Sequence, residues 1–209
     1  MWAPYHSAAG QNLARLAALS DGIFAFAMTL LVLVLTVPAT SGISDEHQLL
    51  QALSTLAPRL IPYFMTFMTL GIFWIGQQTQ LNLFARADRN LAWIHIAFLL
   101  AVTLTPFSTA LLAAFITFRV ALLTYWLNLI MLGAMLFCSW VYAKRAGLIQ
   151  NDTTSEVRSG IQRRIIVAQA LYAFAAALSA LNTYYSIALI IFVQLNYAVA
   201  PRVRFLNRL

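Results

Sequence analysis

The chain has 209 residues, of which 62% are hydrophobic and 9% charged, with a mean hydropathy of +0.79 and a formal net charge of +7. A soluble domain carries about 25% charged residues, so this composition excludes an ordinary water-soluble globule and points to an integral membrane protein. The single cysteine, Cys138, excludes a disulfide framework or a multi-cysteine metal site within one chain and reads as a small packing residue.

A crossing needs about 20 mostly apolar residues, and six segments meet that need. They cover about 17–38, 53–76, 91–112, 116–143, 162–181 and 184–200. The first ends at Pro38. It follows "MWAPYHSAAGQNLAR" with no small-residue cleavage site after it, so no cleavable leader is expected. The second has Pro58 and Pro62 early, where a helix start tolerates them, and Pro106 should kink the third. Very short turns after spans three and five predict antiparallel hairpins. The one sizeable polar loop is 143–164, and no strong internal repeat is evident. The expectation is therefore an all-α, six-span membrane domain over residues 1–209.

Eleven of the 13 basic residues fall on one side of this map: Arg15, Arg86, Arg89, Lys144, Arg145, Arg158, Arg163, Arg164, Arg202, Arg204 and Arg208. Arg59 and Arg119 fall near the other side, with Asp45 and Glu46. Positive residues stay inside, so both termini should be cytoplasmic. The same rule accounts for the positive charge without a nucleic-acid partner. Trp2, Trp74, Trp93, Trp126, Trp140, Tyr142, Tyr184, Tyr185 and Tyr197 lie near span ends and read as interface anchors.

The first span carries the most information. At 100° per residue, Gly22, Phe26, Thr29, Leu33 and Thr36 share one stripe, with Leu30 and Val37 at its edge. Phe24, Ala27, Met28, Leu31 and Leu35 lie opposite. A stripe that mixes a glycine, two hydroxyls and bulky apolar groups is odd for a surface that only meets lipid. Either threonine can satisfy its hydroxyl on its own i−4 carbonyl. Asp21 reads either as a helix-start acid beside Ser20 or as a functional group, because a charge within a span is costly.

The segment "RLAALSDGIFAFAMTLLVL" (15–33) resembles the first helix of the lysosomal potassium channel family (transmembrane protein 175 type). That family's signature is Arg, three residues, then Phe-Ser-Asp. Here Arg15 is followed by Leu19, Ser20 and Asp21, with Leu19 in place of the Phe. The similarity continues through residues 73–112, including Trp74 and Pro106-Phe107, and covers the six-span layout.

That resemblance implies a pore lined by the first helix of each subunit. A single six-span unit is similar to the family's prokaryotic branch, which assembles as homotetramers in the cell membrane. By the same resemblance Phe26, where Ile or Leu is commoner, stands at the narrowest ring, and Leu30 and Leu33 extend the apolar bottleneck. Thr29 is the polar group beside it. Arg15, Ser20, Asp21, Trp74, Gln77, Gln78 and His95 form the signature and helix-positioning network. Gln77 and Gln78 replace a family His pair and cannot titrate near neutral pH. His95 stands where Asn is common and reads as a hydrogen-bonded packing residue. Asp21 either raises local cation concentration or pairs, for instance with Arg15 of a neighbouring helix; the pairing role is favoured. The permeant ion implied is potassium, and a proton leak is compatible with the family.

No TVGYG-like loop is present, so a carbonyl filter is not expected. No HExxH, paired carboxylates or Ser-His-Asp set can be drawn on one side of the membrane, which argues against an enzyme and against any cofactor or resident metal. The alternative reading is a small secondary transporter, with Asn128, Gln169 and Asn182 supplying polar groups at mid-membrane.

Overall fold

The computed structural model describes residues 12–39 and 42–199. It is all helical among those residues: α1 Leu13–Leu30 with a 3-10 extension Leu31–Val34, α2 Glu46–Ser54, α3 Ala57–Leu83, α4 Arg89–Ala114, α5 Arg119–Arg145, α6 Ser155–Ala177 with a 3-10 turn Leu178–Ala180, and α7 Thr183–Val199. Five of these are long and apolar enough to cross a membrane: Leu13–Val34, Ala57–Leu83, Arg89–Ala114, Arg119–Arg145 and Ser155–Ala180. The last helix, where the sequence predicts the sixth span, has 17 described residues, about 25 Å of rise against a hydrocarbon core of about 30 Å. Trp2, Arg202, Arg204 and Arg208 lie outside the described residues, and with them the placement of both termini.

Local chemistry sets the helix boundaries. Asn12, not Ser20 or Asp21, caps α1: its side chain accepts from the Arg15 backbone N–H at 3.1 Å. Ser20 and Asp21 therefore sit two turns inside the helix, which removes the helix-start explanation for the acid. At the other end α1 tightens to 3-10 geometry over Leu31–Val34. Pro38 cannot donate to the Val34 carbonyl and disfavours helix at Val37. Asp45 caps α2, Asp88 caps α4 and Thr154 caps α6, each through its side-chain oxygen. α4 is continuous through Pro106. The polar loop is shorter than the composition implies, because α6 begins at Ser155.

The core is built on α4 and α5, the most extensively packed pair. α6 and α7 follow, α7 closes back on α3, and α1 packs only against α3 and α4 among the stronger helix pairs. Phe24 of α1 meets Phe98 of α4 with ring centroids 5.9 Å apart, and Phe98 in turn meets Phe73 of α3. At one end, Ala85 N–H donates to Leu148 O and Gln150 N–H to Leu83 O, tying the 3–4 and 5–6 connections together. Tyr142 OH donates to Asp88 Oδ2 at 2.6 Å beside them. At the opposite end Arg59 donates to Thr36 Oγ1 at 2.7 Å and Arg119 to Ala180 O at 2.9 Å.

Three residues depart from the sequence expectation. Trp140 is fully buried and stacks on Phe84 at 6.2 Å, so it is a core residue, not an interface anchor. Cys138 is exposed on the protomer surface instead of packed. His95 is buried beside the Phe84 ring at 6.3 Å, but neither ring nitrogen has a hydrogen-bond partner among the described residues. Its aromatic neighbours on this side offer rings, not acceptors.

Buried polar groups fasten the bundle where apolar contact is non-directional. Thr69 Oγ1 is a hub: it contacts Met65 O at 2.9 Å and Tyr125 OH at 2.9 Å, and accepts from Gln194 Nε2 at 2.6 Å. Thr69→Val removes the acceptor of the Gln194 amide and one of the partners of the Tyr125 hydroxyl, which keeps Thr66 and Gln194 beside it, and a buried group left unpaired costs about 1–3 kcal/mol. Thermal unfolding in detergent should show a clear loss for Thr69→Val and little change for Thr29→Val, whose hydroxyl bonds only to its own helix.

Candidate functional site

The face of α1 that looks away from α3 and α4 is the candidate site. Leu16, Ser20, Phe24, Ala27, Leu31 and Val34 are buried, tracing one side of the helix. Phe26 and Leu33 on the other side are 66% and 67% exposed on the protomer, and Gly22, Ala25, Thr29 and Thr36 lie at least partly open with them. Leu30 is only partly exposed, at the edge of this strip. Two large apolar side chains thus stand clear of the protomer on a helix whose opposite side is well packed. Thr29 Oγ1 donates to Ala25 O at 2.8 Å. Its hydrogen is engaged within the helix, which leaves oxygen lone pairs on the exposed side. Arg15 is exposed at the start of the same strip, about 20° from Phe26 by helical geometry.

A second group of residues holds the helix from behind. Asp21 Oδ1 accepts from Trp74 Nε1 and from Gln78 Nε2, both at 2.7 Å. Beside it, Ser20 Oγ donates to Leu16 O at 3.0 Å and accepts from Gln77 Nε2 at 2.7 Å. Ser20 and Gln77 are buried, while Asp21 is exposed. The spacing explains the pairing: adjacent residues on α1 meet Trp74, Gln77 and Gln78, which lie within about one turn of each other on α3. A carboxylate acceptor strengthens both of its bonds. Trp74 is therefore a partner of Asp21 and not simply an interface residue.

Of the residues nominated from sequence, the structure brings together Ser20, Asp21, Trp74, Gln77 and Gln78. It leaves Arg15 on the exposed strip, and His95 apart beside Phe84. The transporter candidates do not converge. Asn128 bonds to Ala101 O and Ser108, Asn182 Oδ1 accepts from Tyr184 N–H at a turn, and Gln169 lies against Gly133. No group of three or more His, Cys, Asp or Glu residues suited to a metal occurs among the described residues. Sequence reasoning missed the Thr36–Arg59 bond, for which a threonine and an arginine at facing span ends were the available signal.

Comparison with known proteins points one way. A family profile described as "Endosomal/lysosomal potassium channel TMEM175" matches residues 15–106. A potassium channel of Chamaesiphon minutus is 30% identical over 190 residues, 88% of this chain and 93% of that one. A potassium channel of Streptomyces collinus is 31% identical over 137 residues, 64% of this chain and 65% of the relative. The Danio rerio protein named endosomal/lysosomal proton channel TMEM175 is 28% identical over 141 residues, 67% of this chain, and the match covers 24% of its length. The crystal structure of a lysosomal potassium-selective channel TMEM175 homolog from Chamaesiphon minutus superposes with a TM-score of 0.77 at 26% identity, covering 91% of this chain and 98% of that one. The chain belongs to the TMEM175 family, a family of ion channels and not of enzymes.

Proposed function

We propose that this protein is a potassium channel whose ion path runs along the exposed strip of α1, between four copies of the chain in the cell membrane. The observation that carries the reading is the pairing of that strip with a polar clamp behind it: Phe26 and Leu33 stand free while Asp21 and Ser20 are bonded to α3. The names of the bacterial relatives support potassium as the ion. In this reading α7 completes a sixth span and both termini are cytoplasmic, as the distribution of basic residues favours.

Converging copies of Phe26, Leu30 and Leu33 make a narrow apolar ring that sheds water when tight and conducts when slightly wider. The Thr29 oxygen offers an acceptor to a cation that has lost part of its water shell. Sodium holds that shell more tightly than potassium, so partial dehydration favours potassium without a cage of carbonyls. The ring's width, set by how α1 is tethered to α3, then decides both flux and preference. A file of water through such a ring also suits protons, and the animal relatives carry proton-channel names.

Purified protein in planar bilayers tests this. The expected result is steady unitary currents with a reversal potential displaced toward potassium under opposed potassium and sodium gradients. Saturating transport with substrate exchange and no unitary currents contradicts it.

A further inference from the structure

The exposed strip of α1 ends beside a positive charge. Beyond the 3-10 turn Leu31–Val34, Thr36 and Val37 are exposed. Arg59, in the first turn of α3, donates from Nη1 to Thr36 Oγ1 at 2.7 Å. The guanidinium is thereby tied to the chain just past Leu33, the last of the proposed ring residues. Arg59 has no carboxylate partner among the described residues. Asp45 and Glu46 stand at the far end of α2, about 13 Å of helix before the turn into α3, and the Asp45 carboxylate accepts from Gln48 N–H. The start of α3 adds to the positive charge. It has no side-chain cap and no acid in its first turn, whereas α2 has both, so the partial charge of its free N–H groups is uncompensated.

We infer that Arg59 gives the channel a preferred direction: one guanidinium per subunit repels cations that enter at the Thr36 end, so potassium leaves by that end more readily than it enters. The inference rests on the proposed path along α1. A cation entering there is drawn from a local pool thinned by the ring of positive charge. A cation leaving there is delivered through the pore and does not draw on that pool. With both termini cytoplasmic, the Thr36 end of the first span is the outer one, and the bias favours efflux. Other charges near this mouth set a background, but removing Arg59 shifts it by one unit per subunit in a known direction.

Unitary currents in planar bilayers test this, with wild type, Arg59→Gln and Arg59→Lys in symmetrical potassium chloride at about 10 mM and about 1 M, where the screening length is about 30 Å and about 3 Å. At low salt Arg59→Gln should conduct about threefold more than wild type in one current direction and change little in the other. At high salt the difference should vanish. Arg59→Lys keeps the charge and loses the planar fork, so it should match wild type at both salts. A role confined to holding Thr36 would move both variants alike at either salt, and that result overturns the assignment. So does Arg59→Gln conducting as wild type at low salt, or rising equally in both directions. Wild type without unitary currents contradicts the channel reading and this inference with it, whereas conducting channels that fail the glutamine comparison overturn this inference alone.

Discussion

Liposomes carrying Phe26→Ala are expected to pass potassium at least about tenfold faster than wild type, the scale of a barrier lowered by about 1.4 kcal/mol. Phe26 projects from α1 with two-thirds of its surface free of its own protomer, so its removal leaves the monomer core intact. What it removes, in the proposed assembly, is the largest apolar group at the narrowest ring. Wetting a wider ring costs less, and the closed state loses its dry plug. Phe24→Ala is the matched control. Phe24 lies two residues earlier, 2% exposed against Phe98, and cutting it back should cost about 3–5 kcal/mol of stability without a specific gain in flux. Unchanged flux in Phe26→Ala, alongside normal folding, counts heavily against the ring.

Asp21→Ala is expected to change potassium flux by about tenfold in the opposite direction, as misaligned pore helices lose the conducting geometry. The carboxylate accepts two bonds at 2.7 Å from Trp74 and Gln78, and alanine leaves both donors without it. Asp21→Asn separates two physical roles. As a tether, Asp21 needs an acceptor oxygen, which the amide retains in weaker form, so Asn should keep most of the flux. As a cation attractor it needs charge, so Asn should behave like Ala. The geometry favours the first, because Asp21 is turned toward α3 while Phe26, Thr29 and Leu33 occupy the free strip. Flux through liposomes at equal protein content, read with a potassium-sensitive dye, checks it.

The face of the first helix was legible from spacing alone. A period of 100° per residue put Phe24, Ala27 and Leu31 on one side, and these are the residues packed on α4 and α3. The same rule works because α1 packs on two neighbours along one side only. Periodicity names a face but not what meets it. From its place near a span end Trp74 read as an anchor, and only the family resemblance grouped it with Asp21, 53 positions earlier, which its indole reaches. Trp140 failed for a related reason: inside a membrane protein, an aromatic against lipid and one against a neighbouring helix have the same composition around them. Helix α2, Glu46–Ser54, was missed because it is too polar for a hydropathy window and is specified by its cap, with Asp45 accepting from Gln48 N–H at 2.7 Å. The Thr69, Tyr125 and Gln194 cluster joins residues 56 and 125 positions apart, a closure that no local pattern encodes.

Cysteine accessibility along α1 tests the central claim most directly, after Cys138, exposed in the wild type, is replaced with serine. Single cysteines at Phe26, Thr29 and Leu33 should react with a charged, membrane-impermeant thiol reagent, and the reaction should block potassium current. Cysteines at Phe24, Ala27 and Leu31 should stay unreactive in the folded channel. If the reagent leaves current through the Phe26 and Leu33 substitutions untouched while reaching the buried face, the strip does not line water and the proposed path is wrong.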